Sequence, residues 1–203
     1  MHKVEIAGRS IGPGFPPYLI AEAGINHGGD VELAKRLISL AADAGAEAVK
    51  LQAYVTEKFI AKDSPFFSVL NDARLSRDEI LILAEHAKKA GVVLFASVFD
   101  EESADLLHSV DAPAFKIASG DLTHDPLLRH VAAKGKPIIL STGGSTMGEI
   151  DHALAVIDAV DGAPPVVLLH CVSNYPTRPE DANLRAMDTM ADQFGRHVGF
   201  SDH

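Results

Sequence analysis

Two lysines follow short apolar runs, Lys50 after Ala48-Val49 and Lys116 after Ala114-Phe115. Ammonium groups projecting into one cavity are costly unless an anion compensates them. A small dianion would meet that need. Ser97, Ser119, Ser141 and Ser201 each close or follow an apolar run and add neutral donors. The stretch Ser141-Thr142-Gly143-Gly144 precedes a helical pattern, a setting in which backbone N–H groups suit phosphate. Taken one at a time these are weak signals, because strand-end lysines are commonly surface charges and serines commonly form turns. Together they read as a phosphate or carboxylate cradle. Glu22 with Asn26 and His27, Gln52, Asp121, His170 with Ser173 and Tyr175, and Asp202 with His203 complete the polar set. His27 and His170 read as hydrogen-bonded structural groups rather than ligands.

The elements that must position these groups are legible as an alternation. Seven short apolar runs rich in β-branched residues, Tyr18 to Ala21, Ala48 to Leu51, Val92 to Ala96, Ala114 to Ala118, Pro137 to Leu140, Val166 to Leu169 and Val198 to Phe200, alternate with helical patterns. Several lack polar alternation, as strands covered on both faces should. Ala34, Leu37, Ile38 and Ala41 recur at helical spacing before Gly45. Ser76 with Glu79 and Thr146 with Glu149 form capping-box patterns, Pro126 suits a helix's first turn, and Ala182, Ala186 and Met190 mark one stripe of a last helix.

This order predicts an α/β fold, a TIM-type (β/α)8 barrel seen as far as about its seventh strand. An open doubly wound sheet would usually carry a GxGxxG fingerprint after its first strand, and none occurs. In a barrel of this type the chemistry lies at the carboxyl ends of strands, where all the residues above fall. The 24 residues from Gln52 to Leu75, with Phe59, Phe66 and Phe67, are long for a βα connection. They fit a substrate-side loop and a helical decoration packing those aromatics equally well. Val4 to Ile11 reads as a small hairpin plugging the barrel's bottom.

With 203 residues, 47% of them hydrophobic and 23% charged, the chain falls in the ordinary globular range, and one domain over 1–203 is expected. A formal charge of -10 without a long basic run argues against a nucleic-acid-binding surface. No stretch approaches the ~20 apolar residues of a membrane span, and the N-terminus lacks a signal-like apolar region. A cytoplasmic protein is expected. A single cysteine, Cys171, allows no intramolecular disulfide and fits a reducing compartment.

Five segments, Ile20-Ala21-Glu22-Ala23-Gly24-Ile25-Asn26-His27-Gly28-Gly29, Val49-Lys50-Leu51-Gln52, Phe115-Lys116-Ile117-Ala118-Ser119-Gly120-Asp121, Ile139-Leu140-Ser141-Thr142-Gly143 and Gly199-Phe200-Ser201-Asp202-His203, resemble in order and spacing the N-acetylneuraminate (sialic acid) synthase family. Asn174-Tyr175-Pro176 and Glu180-Asp181-Ala182-Asn183-Leu184 extend the resemblance over nearly the whole chain. It implies condensation of phosphoenolpyruvate with N-acetylmannosamine or a related amino-sugar aldehyde, giving a nine-carbon 2-keto acid and phosphate. It also implies a divalent metal, Mn2+ or Mg2+. By motif it assigns Lys50, Ser97, Lys116, Ser119, Ser141, Ser173, Tyr175 and Ser201 to phosphoenolpyruvate, Glu22 to the sugar or reacting centre, and His203 to the metal. Gln52 joins the substrate-binding set.

Glu22 or Asp121 would move the protons, and the sequence does not choose between them. Asp121 stands where the family has Glu or Asp, and Ser97 where Thr is common, which keeps the hydroxyl. The family continues past Ser-Asp-His into an eighth strand, a second metal-binding His, an acidic sugar contact and generally a small antifreeze-like domain. The expectation for this chain is therefore a barrel lacking those parts, with exposed strand edges that favour self-association. Two other readings stand beside the synthase: a noncatalytic barrel that binds ligand only, and a Schiff-base aldolase using Lys50 or Lys116.

Overall fold

The computed structural model describes residues 3–203. They pack as two compact units, one spanning Pro17–Pro113 and the other Ala114–His203 together with the N-terminal segment up to Pro16. That segment is the hairpin the sequence suggested. Strands β1 (Val4–Ile6) and β2 (Arg9–Ile11) pair antiparallel with Val4 opposite Ile11. The two-residue turn, Ala7-Gly8, has positive φ at both positions (49° and 81°), matching the right-handed twist of a tight hairpin. Just past β2, Gly12 lies against the imidazole of His197.

The 17–113 unit holds three parallel strands, β3 (Ile20–Gly24), β4 (Ala48–Ala53) and β5 (Val93–Val98), with β4 between the other two. Helix α1 (Val31–Asp43) begins at Asp30, whose carboxylate accepts the N–H groups of Glu32 (2.8 Å) and Leu33 (3.0 Å). It buries Ala34 and Ile38. The 52–75 interval takes the helical form among the two expected, with α2 (Thr56–Phe59) and α3 (Phe67–Ala73). Phe59 packs on Tyr54 and Phe99 (centroids 5.0 and 4.4 Å), and the Tyr54 hydroxyl donates to the Leu70 carbonyl (2.8 Å). Phe66 stays exposed.

Helix α4 (Arg77–Ala90) carries the expected capping box of Ser76 and Glu79 and ends at left-handed Gly91. Helix α5 (Glu101–Ser109) is capped by buried Asp100. That carboxylate accepts from the Ser103 N–H (2.8 Å), the Ser103 hydroxyl (2.9 Å) and the Val55 N–H (2.7 Å). Three donors compensate a charge that would otherwise be costly to bury. They also tie the start of the 52–75 interval to α5.

In the other unit four parallel strands pair in sequence order: β6 (Phe115–Ile117), β7 (Ile138–Ser141), β8 (Val166–His170) and β9 (His197–Phe200). Strands β6 and β7 are buried at every residue, which accounts for their unbroken apolar pattern. Between the strands run α6 (Asp125–Ala132), with Pro126 in its first turn, α7 (Met147–Asp158), with the Thr146–Glu149 capping box, and α8 (Ala186–Phe194).

The last helix starts later than its apolar stripe suggests. Ala182 ends a short 3-10 turn, Pro179–Asp181, and Asn183 at φ 43° breaks the right-handed path before Ala186. Strand boundaries shift by up to two or three residues, as at β3, where pairing with β4 starts at Ile20 and runs to Gly24. No helix among the described residues is long and apolar enough to cross a membrane.

Replacing Ser76 with Ala removes the acceptor for the Glu79 N–H, and should lower unfolding free energy by ~1 kcal/mol. Urea denaturation measures it, and an unchanged midpoint would mean the cap contributes nothing.

Candidate active site

Parallel register aligns the polar residues of the 17–113 unit. Glu22 lies opposite Lys50, and Gln52 opposite Ser97. Residues two apart on a strand share a face, so all four project from one side of β3, β4 and β5. The Lys50 ammonium forms an ion pair with the Glu22 carboxylate and donates to Ser97 Oγ at 3.0 Å. Ser97 is buried, while Glu22 keeps half its side chain exposed. Glu22 and Gln52 both border Gly24.

The loop after β3 is held by His27, which is buried and accepts the Gly29 N–H at Nδ1 (3.0 Å). Burial lowers the His27 pKa from 6.5, and the nearby Gly24 carbonyl and Glu79 charge oppose that shift. Gly29, at φ 86°, passes so close to the Asp72 carbonyl that a Cβ would sit 2.1 Å from its oxygen. Only glycine fits there.

In the second unit Lys116 is almost fully buried and donates to the Ile117 carbonyl at 2.7 Å. Its register partner is Ile139, so Lys116 and buried Ser141 lie on one face. A 3-10 turn, Ser119–Asp121, follows β6. Burial pushes the Asp121 carboxyl above the usual carboxylate range, with His124 and Lys116 opposing.

Ser119 Oγ accepts the Gly143 N–H at 3.0 Å and lies 3.3 Å from Cys171 Sγ. A Cβ on Gly143 would fall 2.8 Å from Cys171 Sγ and 3.0 Å from the hydroxyls of Ser119 and Ser173. Part of the backbone expected to cradle phosphate at 141–144 is engaged within the protein. The Thr142 N–H is bound to the Leu169 carbonyl (3.0 Å), that of Gly143 to Ser119 and that of Ser145 to the Thr142 carbonyl (3.2 Å).

Tyr175, Ser201 and His203 meet at the far end of β8 and β9. The Tyr175 ring stacks on His203 (4.1 Å) and its hydroxyl lies 3.0 Å from His203 Nε2, with Ser201 Oγ at 3.4 Å. His203 Nδ1 lies 2.9 Å from the Val172 carbonyl, which can only accept. In the neutral ring Nδ1 would therefore carry the proton and Nε2, beside the Tyr175 hydroxyl, the lone pair, the form that ligates a metal. His203 fits as one ligand of a divalent cation, while no group of three or more such side chains occurs among the described residues. His170 lies 2.8 Å from the Ala182 carbonyl through Nε2 and packs on Phe200, in keeping with a structural role.

The residues singled out from sequence thus gather into local sets. Glu22, Lys50, Gln52 and Ser97 form one in the first unit. In the second, Lys116 neighbours Asp121, Ser119 and Ser173 converge at Gly143, and Tyr175 and Ser201 meet at His203. The NeuB family matches residues 37–203. The chain belongs to the NeuB family.

Among its relatives, an uncharacterized protein of Methanocaldococcus jannaschii is 45% identical over the whole chain, and N,N'-diacetyllegionaminic acid synthase of Legionella pneumophila is 38% identical over 92% of it. The chain spans 60% and 57% of their lengths. The crystal structure of a sialic acid synthetase from Leptospira borgpetersenii, in complex with citrate, matches all of the chain and 70% of its own with a TM-score of 0.95 at 37% identity. That likeness fixes the fold class as α/β of the TIM type.

Sequence reasoning missed the crowding at Gly143 and the place of Cys171 in it. The two are 28 positions apart, and neither residue type announces the other. A Gly143→Ala methyl must displace three side-chain atoms and should cost about 1–3 kcal/mol. Gly120, with open space around it, is the control. Equal denaturation midpoints for Gly143→Ala and Gly120→Ala would show that the methyl is accommodated.

Proposed function

We propose that this NeuB-family chain carries the phosphoenolpyruvate-recognising part of a sugar acid synthase, which condenses phosphoenolpyruvate with N-acetylmannosamine or a related amino-sugar aldehyde. The observation that carries the reading is Lys116: a lysine nearly fully buried on the same strand face as Ser141, beside the turn that presents Ser119. A charge so placed is suited to a bound anion. The names of the relatives, sialic and legionaminic acid synthases, agree with this class of reaction.

In the reaction, C3 of phosphoenolpyruvate attacks the aldehyde carbon and water adds at C2. The tetrahedral intermediate expels phosphate to leave the 2-keto acid. Lys116, Ser119, Ser141, Ser173, Tyr175 and Ser201 are assigned to phosphoenolpyruvate, holding its charge in reacting geometry. Glu22 and Gln52 are assigned to the sugar and the reacting carbon. Asp121, whose carboxyl burial raises from its ordinary value, is a candidate to move a proton. Mn2+ or Mg2+, with His203 as one ligand, would supply Lewis-acid polarisation of the aldehyde.

The same geometry disfavours the aldolase reading. A Schiff-base lysine must offer a free amine, yet Lys50 is engaged by Glu22 and Ser97, and Lys116 by the Ile117 carbonyl. Borohydride should therefore trap no substrate on either lysine.

Calorimetric titration with phosphoenolpyruvate tests the proposal. The wild-type chain should bind, and Lys116→Ala should weaken binding by about tenfold or more, as expected for loss of a charged hydrogen-bonding partner. Phosphate release should require both phosphoenolpyruvate and the amino sugar. Unchanged binding by Lys116→Ala would sink the assignment. Binding without turnover would leave the chain a ligand-binding module.

A further inference from the structure

The chain's single thiol sits where the hydroxyls assigned to the anion converge. Cys171 is buried just past β8, with Sγ 3.3 Å from Ser119 Oγ. The same oxygen accepts the Gly143 N–H at 3.0 Å. A hydroxyl has two lone pairs and one proton to place. With Gly143 on one lone pair, the sulfur contact decides the rest. If the thiol donates, both lone pairs are filled and the Ser119 proton is left for a bound anion. If Ser119 donates to sulfur, a lone pair faces the anion and repels it.

Packing holds the sulfur at this spot. The Gly143 Cα, stripped of a side chain, lets Cys171 Sγ and the Ser119 and Ser173 hydroxyls close on the same point. Aliphatic replacement of the thiol would keep much of that packing and lose the donor. Serine would keep both.

We propose that Cys171 is a positioning residue whose thiol, by donating to Ser119 Oγ, turns the Ser119 hydroxyl proton toward the phosphoenolpyruvate anion. The inference rests on the proposed function for the identity of the anion, and on the Cys171–Ser119–Gly143 geometry for the positioning.

Because no other cysteine is present, the S–H stretching band of the full chain reports Cys171 alone. Ser119→Ala should move that band to higher wavenumber as the acceptor is lost. An unmoved band would overturn the inference, whether or not any ligand binds. By titration, Cys171→Ala should weaken phosphoenolpyruvate binding about three- to tenfold, the scale of one weak neutral hydrogen bond, and Cys171→Ser should stay within about twofold of wild type. Equal weakening by both variants would assign the effect to packing and overturn it too.

Absence of binding by the wild-type chain would remove the proposed function and this inference with it. Intact wild-type binding with an indifferent Cys171→Ala would remove this inference alone. Circular dichroism establishes that the variants fold, and if Cys171→Ala does not, the band shift in Ser119→Ala decides.

Discussion

The polar residues that the strands themselves carry are positioned by the register of parallel strands. Side chains two apart on a strand emerge from the same face, and in-register neighbours extend that face sideways. Glu22 opposite Lys50, and Gln52 opposite Ser97, therefore make one polar patch in the first unit. In the second, Lys116 opposite Ile139 puts Lys116 and Ser141 on one face. A slip of a single residue would send each of these groups among the apolar residues of the opposite face. Their intolerance of that environment helps specify the register that positions them.

The second constraint is local crowding. Parallel strands deliver their carboxyl ends to a common edge, and the loops leaving that edge must pass close to one another. Gly29 beneath the Asp72 carbonyl and Gly143 beneath Cys171, Ser119 and Ser173 are two points where a Cβ would crowd its neighbours. At Gly143 the crowding is chemically useful, because it brings three polar atoms together over a bare Cα and pins the hydroxyl of Ser119 against a backbone N–H. Pre-positioned hydroxyls lose less freedom when they meet an anion.

Buried charge is handled differently at different places. Asp100 is matched by three donors and serves only to join α5 to the start of the 52–75 interval. Lys50 is matched by Glu22 and Ser97. Asp121 is held above its ordinary pKa by burial, with Lys116 as one opposing charge. The contrast separates a structural carboxylate from groups whose environment is suited to ligand and proton chemistry.

The sequence by itself determined the alternation of strands and helices, the capping boxes at Ser76 and Thr146, the hairpin at the N-terminus, and the membership of Lys50, Ser97, Lys116, Ser119 and Ser141 among strand-end polar residues. These are legible because they depend on periodicity and on neighbours a few positions away. It left open whether the 52–75 interval was loop or helix, since short helices held by Tyr54, Phe59 and Phe99 need partners distant in the chain. It placed Ala182 in a helix that only the backbone at Asn183 interrupts. It offered the amides of 141–144 to phosphate, although those of Thr142 and Gly143 are taken by Leu169 and Ser119. Only the tertiary structure decided these points and the meeting of Cys171, Ser119 and Gly143, because hydrogen bonding between residues 24 to 52 positions apart is set by how strands align rather than by any local pattern.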